Sequence, residues 1–441
     1  MIPKNEFKKV LVIVMLVGHF MGQDSIAAKA RYKSDGFVRF EVKTFKNDKN
    51  KETDDQKIGL SSKLTSKFKR GRLRGKATLT AKAEEAKAGE HFLFVEEAFV
   101  MYKKRPWLIK FGFQVFNWTA TEVFHPSDIM NAKSVSGDDT DQKRGELTFL
   151  VQTKVGKGRL NFVVMPRFED PKYPSKFYFS GAGLVIKEPL WWEEKGRVSF
   201  DNYGLQGGAF LTQSLGPVDI VLYGVKNRDR SNGILYKSSE SDNIHPLFFP
   251  VTHFGGTLQW VFGGWNLKAE YDKRKFEGDF ARTYTLKGVD YDMLSGSASV
   301  LGQTIGVESL SEYDTLALGL EKTVSWDGGS ETTLILEVQS ILSSTKSERA
   351  NLSVFQRDAL LGMRHALNDV MGTEIFLSVL TDIEREQEHM VNFEYSQRLS
   401  DHWKIKLGAK YIEAPLKGTI PQGLEFLHEK NELNMKLTRF F

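Results

Sequence analysis

Apolar and polar residues alternate along almost the whole of this chain. In the segment 72–84, Leu, Ala and Gly occupy every second position, and Arg, Lys, Thr and Glu fill the positions between them. The segments 264–274 and 402–412 alternate in the same way, with aromatic residues at both ends of the apolar face. A period of two over about eleven residues predicts long β-strands with one apolar and one polar face.

The same pattern predicts eighteen strands along the chain. They lie at 36–46, 56–67, 72–84, 91–102, 107–118, 144–155, 158–168, 204–214, 217–227, 251–262, 264–274, 313–325, 331–342, 357–367, 373–384, 388–399, 402–412 and 431–441. Sixteen is the fallback, because 36–46 and 91–102 alternate least regularly. In the second of these, adjacent Glu96 and Glu97 put one carboxylate on the apolar face unless a β-bulge intervenes.

The connections between these strands are short and long in turn. The short ones carry the Gly, Asn, Asp and Pro residues that tight turns need. Nearly all the long ones fall on the other side, at 119–143, 169–203, 228–250, 275–312, 343–356 and 413–430. This arrangement predicts an all-β fold, a transmembrane antiparallel β-barrel with short periplasmic turns and long extracellular loops. Closure is required because lipid offers no hydrogen bonds to a free strand edge.

The beginning of the chain has the pattern of an export signal. Three lysines precede the apolar run 10–18, and Ala28-Lys29-Ala30 then gives the small-x-small motif of a signal-peptidase site. We therefore expect a cleaved signal peptide at 1–30 and a barrel at 31–441.

The last predicted strand ends on Phe441. With the barrel pattern and the signal peptide, this terminal aromatic resembles the closing strand of Gram-negative outer-membrane β-barrels of the porin type. The resemblance implies insertion in the outer membrane of a Gram-negative bacterium, among its lipids and lipopolysaccharide. It also implies that the barrel-assembly machinery recognises the strand ending at Phe441.

Composition narrows the chemistry. The chain has no Cys, which excludes disulfides and thiolate metal sites. Its net charge of +5 comes from cations spread along strands, so we expect no nucleic-acid partner. No Ser-His or paired-Asp arrangement is placed clearly on a strand. We therefore expect neither enzymatic activity nor a cofactor nor a metal.

A barrel of sixteen to eighteen strands encloses a water-filled lumen, lined by the polar face of each strand. On the last two and first three strands, which are neighbours after closure, this face carries many cations: Arg39, Lys43, Lys57, Lys63, Lys67, Arg72, Arg74, Lys76, Lys82, Lys404, Lys406, Lys410 and Lys436. Only Glu41, Glu84 and Glu432 oppose them there. Across the barrel the inward acids are Glu270, Asp272, Glu321, Glu337, Asp358, Glu374, Asp382 and Glu394, with Lys268, Arg364 and Arg398 among them.

This parity predicts a transverse field across a net basic lumen that prefers anions. The alternative is a solvated polar face whose charges neutralise one another. The residues that we expect to line the pore are Arg72, Arg74, Lys76, Lys82, Lys110, Lys404, Lys406, Lys410, Lys436, Glu270, Glu337 and Glu394.

Two long loops are candidates for narrowing the pore. The run Phe111-Gly112-Phe113-Gln114 to Trp118, continuing to Asn131, resembles a stretch of poorly characterised porin-like families, although Thr119 stands where that pattern has Gly. Porins of this kind often fold a long loop inward, and either 119–143 or 169–203 fits that role. The acidic stretch 138–141 suits Ca²⁺ or divalent-linked lipopolysaccharide, but an ordinary solvated loop is favoured. The aromatic residues of 169–203 are interpreted as packing ahead of a ligand-stacking surface.

Together these patterns favour an outer-membrane porin or channel for passive diffusion of small hydrophilic solutes, with anions favoured. The alternatives are an outer-membrane enzyme and a substrate-specific transporter on a barrel scaffold. A homotrimer, common among porins, is compatible with the sequence.

Overall fold

The computed structural model describes part of the chain, in which one large antiparallel sheet dominates. The described residues are 30–45, 56–85, 91–133, 143–171, 185–193, 197–230, 234–241, 243–277, 281, 283–293, 312–346, 349, 352–353, 355–415, 417, 423–427 and 431–441. The predicted signal peptide and the acidic stretch 138–141 therefore lie outside the described residues, apart from Ala30.

Eighteen of the strands form the large sheet. They are β1 (Arg31–Phe45), β2 (Gln56–Arg70), β3 (Leu73–Glu85), β4 (His91–Lys104), β5 (Trp107–Gln114), β6 (Glu146–Val155), β7 (Gly158–Arg167), β11 (Tyr203–Leu215), β12 (Val218–Arg228), β15 (Pro250–Phe262), β16 (Trp265–Phe276), β19 (Glu312–Ser325), β20 (Glu331–Leu342), β21 (Arg357–Ala366), β22 (Glu374–Asp382), β23 (His389–Arg398), β24 (Trp403–Glu413) and β25 (Glu432–Phe440). The labels count all strands in chain order.

Each of the eighteen predicted strands overlaps one of these, so the count of eighteen is confirmed. The largest differences are at the start of β1, which begins at Arg31, and at the end of β5, which stops at Gln114. The prediction extended β5 to residue 118, but the chain leaves the sheet after Gln114.

The sheet closes on itself through β1 and β25, which pair antiparallel from Phe37–Phe440 to Phe45–Glu432. Beyond this ladder, the backbone N–H and C=O groups of Gly36 and Phe441 bond to each other at 3.0 and 3.1 Å. Every strand of the large sheet thus has a partner on both sides, which is the condition for a sheet in lipid.

The two faces of the barrel differ as the alternation predicts. Large apolar side chains cover the outside, where Phe111 and Leu361 keep 55% and 63% of their surface exposed. Inward polar side chains such as Thr78 and Asp272 are buried. In this barrel exposure therefore marks the lipid-facing side, which inverts the rule for water-soluble proteins.

A β-bulge resolves the conflict at Glu96 and Glu97. The pairing of β3 with β4 shifts register between Thr78 and Leu79, so that Thr78 pairs with Glu97 while Leu79 pairs with Val95. Glu96 is the extra residue, and both carboxylates turn inward to bind lysines of β2 and β3. The bulge keeps a charge off the lipid face.

A second sheet of seven short strands stands at the loop end of the barrel. It contains β8 (Val185–Ile186), β9 (Leu190–Trp192), β10 (Val198–Ser199), β13 (Ile234–Ser238), β14 (Asn243–Phe248), β17 (Thr283–Leu286) and β18 (Val289–Met293). These residues were expected to be plain loops. Strands of two to six residues carry too little alternation to predict from sequence.

The opposite end of the barrel consists of tight turns. Gly71, Gly156 and Gly216 take positive φ angles of 58°, 58° and 64° there, a conformation that favours glycine. The described helical structure includes one short 3₁₀ helix, Gly423–Leu427. No helix within the described ranges is long and apolar enough to cross a membrane.

Candidate pore constriction

Residues 115–133, here called the interior loop, fold into the barrel after β5. At one end Phe116, Ile129 and Met130 pack on inward residues of β6, β7, β11 and β12. At the tip, Phe124 packs with Ala317, Ile335 and other inward residues of β19 to β24. A segment that touches strands so far apart around the sheet must cross the interior. The described part of 119–143, one of the two loops predicted to narrow the pore, therefore crosses the interior of the barrel.

Glu270 of β16 fastens the first part of the interior loop. Its carboxylate accepts hydrogen bonds from the backbone N–H groups of Ala120, Thr121 and Ser127 at 2.6, 2.9 and 3.2 Å. The hydroxyl groups of Thr121, at 2.6 Å, and Ser127 donate as well. One carboxylate thus satisfies five donors of a segment that has no ladder of its own.

Glu337 of β20 fastens the tip in the same way. It accepts hydrogen bonds from the N–H groups of Glu122, Val123 and Phe124, the last two at 2.9 and 3.4 Å. Glu270 and Glu337 are 0% and 1% exposed. Both were predicted to line the pore, and the structure corrects this, because the loop amides that they bind cover them.

Asn131 holds together the two ends of the interior loop, here called its neck, where Gln114 and Phe116 lie near Arg144. Its side-chain oxygen accepts the N–H of Phe116 at 2.7 Å, and its amide nitrogen donates to the C=O groups of Gln114 and Arg144 at 2.9 and 2.8 Å. The Trp118 indole donates to Ser127 O at 2.7 Å. These contacts bring the two ends of the interior loop together. The spacing of residues in the sequence does not predict which groups donate and which accept these hydrogen bonds.

Charged side chains surround the outer edge of the interior loop. Lys268 Nζ lies 2.7 Å from Glu122 and 2.5 Å from Glu321, and Arg364 lies 3.4 Å from Glu122. Burial works to raise the pKa of Glu122, but the Lys268 ammonium and the Arg364 guanidinium outweigh it and hold that pKa below its ordinary value. Glu122 therefore stays ionised at neutral pH.

His125 is a packing residue of the interior loop. Its Nδ1 lies 3.4 Å from Thr121 Oγ1 and 3.7 Å from Glu270. Two lysines, Lys133 and Lys143, pair with Asp128 at 2.9 and 2.8 Å. The contacts of His125 and Asp128 thus stabilise the folded shape of the interior loop.

The inward cations of β24, β25 and β1 to β3 are here called the basic wall. Among the described residues, the interior loop's hydrogen bonds to barrel strands go to β5, β6, β12, β16, β20 and β21. The inward acids of β16 to β23, here called the acidic wall, are therefore partly covered. The basic wall receives none of these bonds.

Part of the basic wall is neutralised locally. Lys63 pairs with Glu96 at 2.7 Å, Lys82 with Glu84 at 3.3 Å and Lys436 with Glu41 at 3.0 Å. Lys76 pairs with Glu97, and across the end of the wall Lys406 pairs with Glu394 at 2.6 Å. The prediction counted only Glu41, Glu84 and Glu432 as acids of this wall, so it missed both Glu96 and Glu97 of the neighbouring β4.

Other predicted pore-lining cations form no ion pair in the described structure, although Lys410 lies directly opposite Glu432 in the ladder between β24 and β25. Arg74, Lys404 and Lys410 are half-buried on the inner face and form no ion pair with any residue in the described part of the chain. Lys110 Nζ lies 3.6 Å above the Phe99 ring. Arg72 differs from the prediction, because it lies in the exposed turn before β3 and not in the strand.

The described part of the second long loop, 169–203, packs at the loop end of the barrel. Trp191 is buried and stacks on Phe248 at 5.2 Å, with Phe168 4.7 Å from the same indole. For Trp191 and Trp192 the interpretation as packing residues is confirmed, while the aromatic residues 177–179 lie outside the described residues. Arg230 was not singled out in the sequence. Its buried guanidinium pairs with Glu146 at 3.0 Å and so holds the start of the connection 228–250 in place.

The closed barrel of eighteen strands with an apolar exterior and an inward loop defines a membrane-barrel fold. No protein-family model and no curated protein matches the sequence. Solved structures do match. OccAB3 of Acinetobacter baumannii is 7% identical, with 93% of this chain and 99% of that one covered and a TM-score of 0.50. OccK5 (OpdH) of Pseudomonas aeruginosa is 9% identical, with 95% and 99% covered and a TM-score of 0.49.

These structures are Gram-negative outer-membrane porins. At such identities the likeness concerns the fold alone. The chain therefore has the fold of an outer-membrane porin barrel.

Proposed function

We propose that this chain is an outer-membrane channel through which small hydrophilic solutes diffuse passively, with anions favoured. The observation that carries the proposal is the asymmetric position of the interior loop. Glu270 and Glu337 hold it against the acidic wall, so the passage runs between the loop and the basic wall.

Electrostatics supports the preference for anions. The interior loop covers two carboxylates of the acidic wall, whereas the cationic groups of Arg74, Lys404 and Lys410 on the opposite side form no ion pair in the described structure. Charges along a narrow passage with low-dielectric walls act strongly on passing ions. The pore-lining role of these cations, and of Lys76, Lys82, Lys110, Lys406 and Lys436, belongs to the proposal.

The test is single-channel conductance of the refolded protein in a planar bilayer under a KCl gradient. We expect stable conductance steps. The sign of the reversal potential should show that Cl⁻ permeates more readily than K⁺. A folded barrel that never conducts would overturn the channel itself. Conductance with K⁺ preference would overturn only the anion preference.

The proposal includes the setting of the protein. Residues 1–30 are removed on export, the assembly machinery binds the strand that ends at Phe441, and lipids with lipopolysaccharide surround the barrel. N-terminal sequencing of protein from outer membranes should begin at Arg31. A homotrimer stays a prediction, and chemical cross-linking in native membranes tests it. That the chain is not an enzyme also stays a prediction.

A further inference from the structure

Arg439 and Lys322 are cations on the lipid-facing side of the barrel, close to its short turns. Arg439 follows Leu437 on the outward face of β25, and Lys322 follows Leu320 on the outward face of β19. A charge on this face opposes insertion most strongly at the centre of the bilayer and least near its two interfaces. Both positions therefore suit the depth at which the phosphate groups of the periplasmic leaflet lie.

Each of these cations lies over a tryptophan of the adjacent strand. Arg439 and Trp403 are direct partners in the ladder between β24 and β25, as are Lys322 and Trp265 between β16 and β19. The guanidinium carbon of Arg439 lies 5.8 Å from the centre of the Trp403 ring, and Lys322 Nζ lies 5.0 Å from that of Trp265. The attraction between cation and ring keeps both charges at the level of the interfacial aromatic residues.

The two cations differ in their hydrogen bonds. Lys322 Nζ donates to the C=O of Gly263 at 3.1 Å. In the described part of the chain, the guanidinium of Arg439 has neither a hydrogen-bond partner nor an ion-pair partner, and the indole N–H of Trp403 has no acceptor. A guanidinium carries five N–H donors and the indole adds one more. Arg439 and Trp403 thus offer neighbouring donors to a ligand outside the protein.

A groove begins at Arg439 and crosses the seam where the barrel closes. Its volume is about 590 Å³, and Arg439 is the one charged residue among those that line it. Leu60, Phe40 and Leu437 are opposed across β2, β1 and β25 and form its apolar floor. They lie about 7 Å along the strands from Arg439, on the side toward the centre of the bilayer. A cation at the interface with an apolar groove leading inward matches the order of phosphate and acyl chain in a phospholipid.

We propose that this groove binds one phospholipid of the periplasmic leaflet. Arg439 and Trp403 donate to its phosphate, and one acyl chain lies along Leu437, Phe40 and Leu60. The guanidinium is the cation best suited to this task, because its planar fork donates two parallel hydrogen bonds to one phosphate group. Lys322 already donates to a carbonyl group and meets lipid as part of the general interface. The inference rests on the outer-membrane barrel fold and does not depend on the channel proposal.

The test is native mass spectrometry of the refolded protein in detergent with added phosphatidylglycerol. The wild type should keep one lipid under collision conditions that remove the others. Arg439→Gln should lower the fraction of protein that keeps this lipid about tenfold, because hydrogen bonds to charged groups are among the strongest. The matched control is Lys322→Gln, which removes a cation over a tryptophan at the same rim of the barrel and should leave that fraction unchanged.

Leu60→Trp is the second variant, in case Arg439→Gln does not refold. It fills the groove without altering Arg439, and it should also lower the retention of the lipid. Retention that survives both Arg439→Gln and Leu60→Trp would overturn the proposal, and so would a wild type that keeps no lipid.

Equal losses from Arg439→Gln and Lys322→Gln would overturn it in favour of a general attraction between lipids and the rim. Wild-type chains that associate without lipid, and that separate in Arg439→Gln, would assign the groove to a second copy of this chain. That result would overturn the proposal as well.

Discussion

The acidic wall and the basic wall of the barrel interior arise from the same alternation of apolar and polar residues, but their charged side chains have different roles. On the acidic wall, Glu270 and Glu337 accept backbone N–H groups of the interior loop and are hidden by it. On the basic wall, cations such as Arg74 and Lys404 have no loop over them and no acid beside them in the described structure. Alternation decides that a side chain points inward. Whether it then holds a loop or faces the passage depends on what crosses the lumen.

The largest expected effect comes from removing a loop anchor. Glu270→Ala leaves five donors of the interior loop without their acceptor, three of them backbone N–H groups. Unsatisfied buried donors cost about 1–3 kcal/mol each, so we expect a loss of at least about 3 kcal/mol in the free energy of unfolding. Conductance should also become larger and noisier. Urea unfolding and bilayer recordings measure the two effects.

The control for the anchor is Glu394→Ala, which removes an acid that pairs with Lys406 and touches no loop amide in the described structure. It should leave stability nearly unchanged. Equal destabilisation by the two variants would contradict the division between the walls.

Loosening the neck should have the next largest effect. Asn131→Ala removes one acceptor and two donations that join Phe116, Gln114 and Arg144. We expect about 2 kcal/mol of destabilisation, because the Phe116 N–H and two carbonyl groups lose a buried partner. Asn117→Ala, at a neighbouring exposed position, is the matched control. If Asn131→Ala is as stable as the wild type, the hydrogen bonds to Glu270 and Glu337 are sufficient to hold the interior loop in place.

Reversing a free cation tests the basic wall itself. Arg74→Glu changes the local charge by two units, which at about 8 Å in screened water is worth about 0.5 kcal/mol to a passing ion. The permeability ratio of Cl⁻ to K⁺ should fall roughly twofold, as read from the reversal potential. Arg72→Glu, in the exposed turn, should lower it less. An unchanged ratio in Arg74→Glu would remove Arg74 from the pore lining.

The smallest effect is expected where a cation is already paired. Glu97→Gln removes the acid beside Lys76 and should raise the preference for anions. This rise should be smaller than the fall caused by Arg74→Glu, because only one unit of charge is altered. Reversal potentials in the same KCl gradient give the comparison. An unchanged ratio would mean that this pair lies off the path of the ions, and a fall in anion preference would contradict the prediction.

The sequence predicted the strands well because lipid on one side and water on the other impose a strict period of two. The roles of Glu270 and Glu337 could not be predicted, because their partners are backbone N–H groups, which every residue except proline carries. Nothing in the sequence marks Ala120 or Val123 as the partner of a carboxylate more than a hundred residues away. The bulge at Glu96 was predictable only as an alternative, since both registers satisfy the alternation on either side of it.

The seam between β1 and β25 also sets the order in which the barrel can form. Arg39 and Thr438, which bond across it, are 399 residues apart in the chain. β1 is synthesised long before β25, so any sheet that forms before the last strand arrives carries two unpaired edges. Closing so long a stretch of chain is slow, and open edges invite pairing with other chains. Delivery of the chain to the membrane therefore has to shield both edges for the whole of that interval.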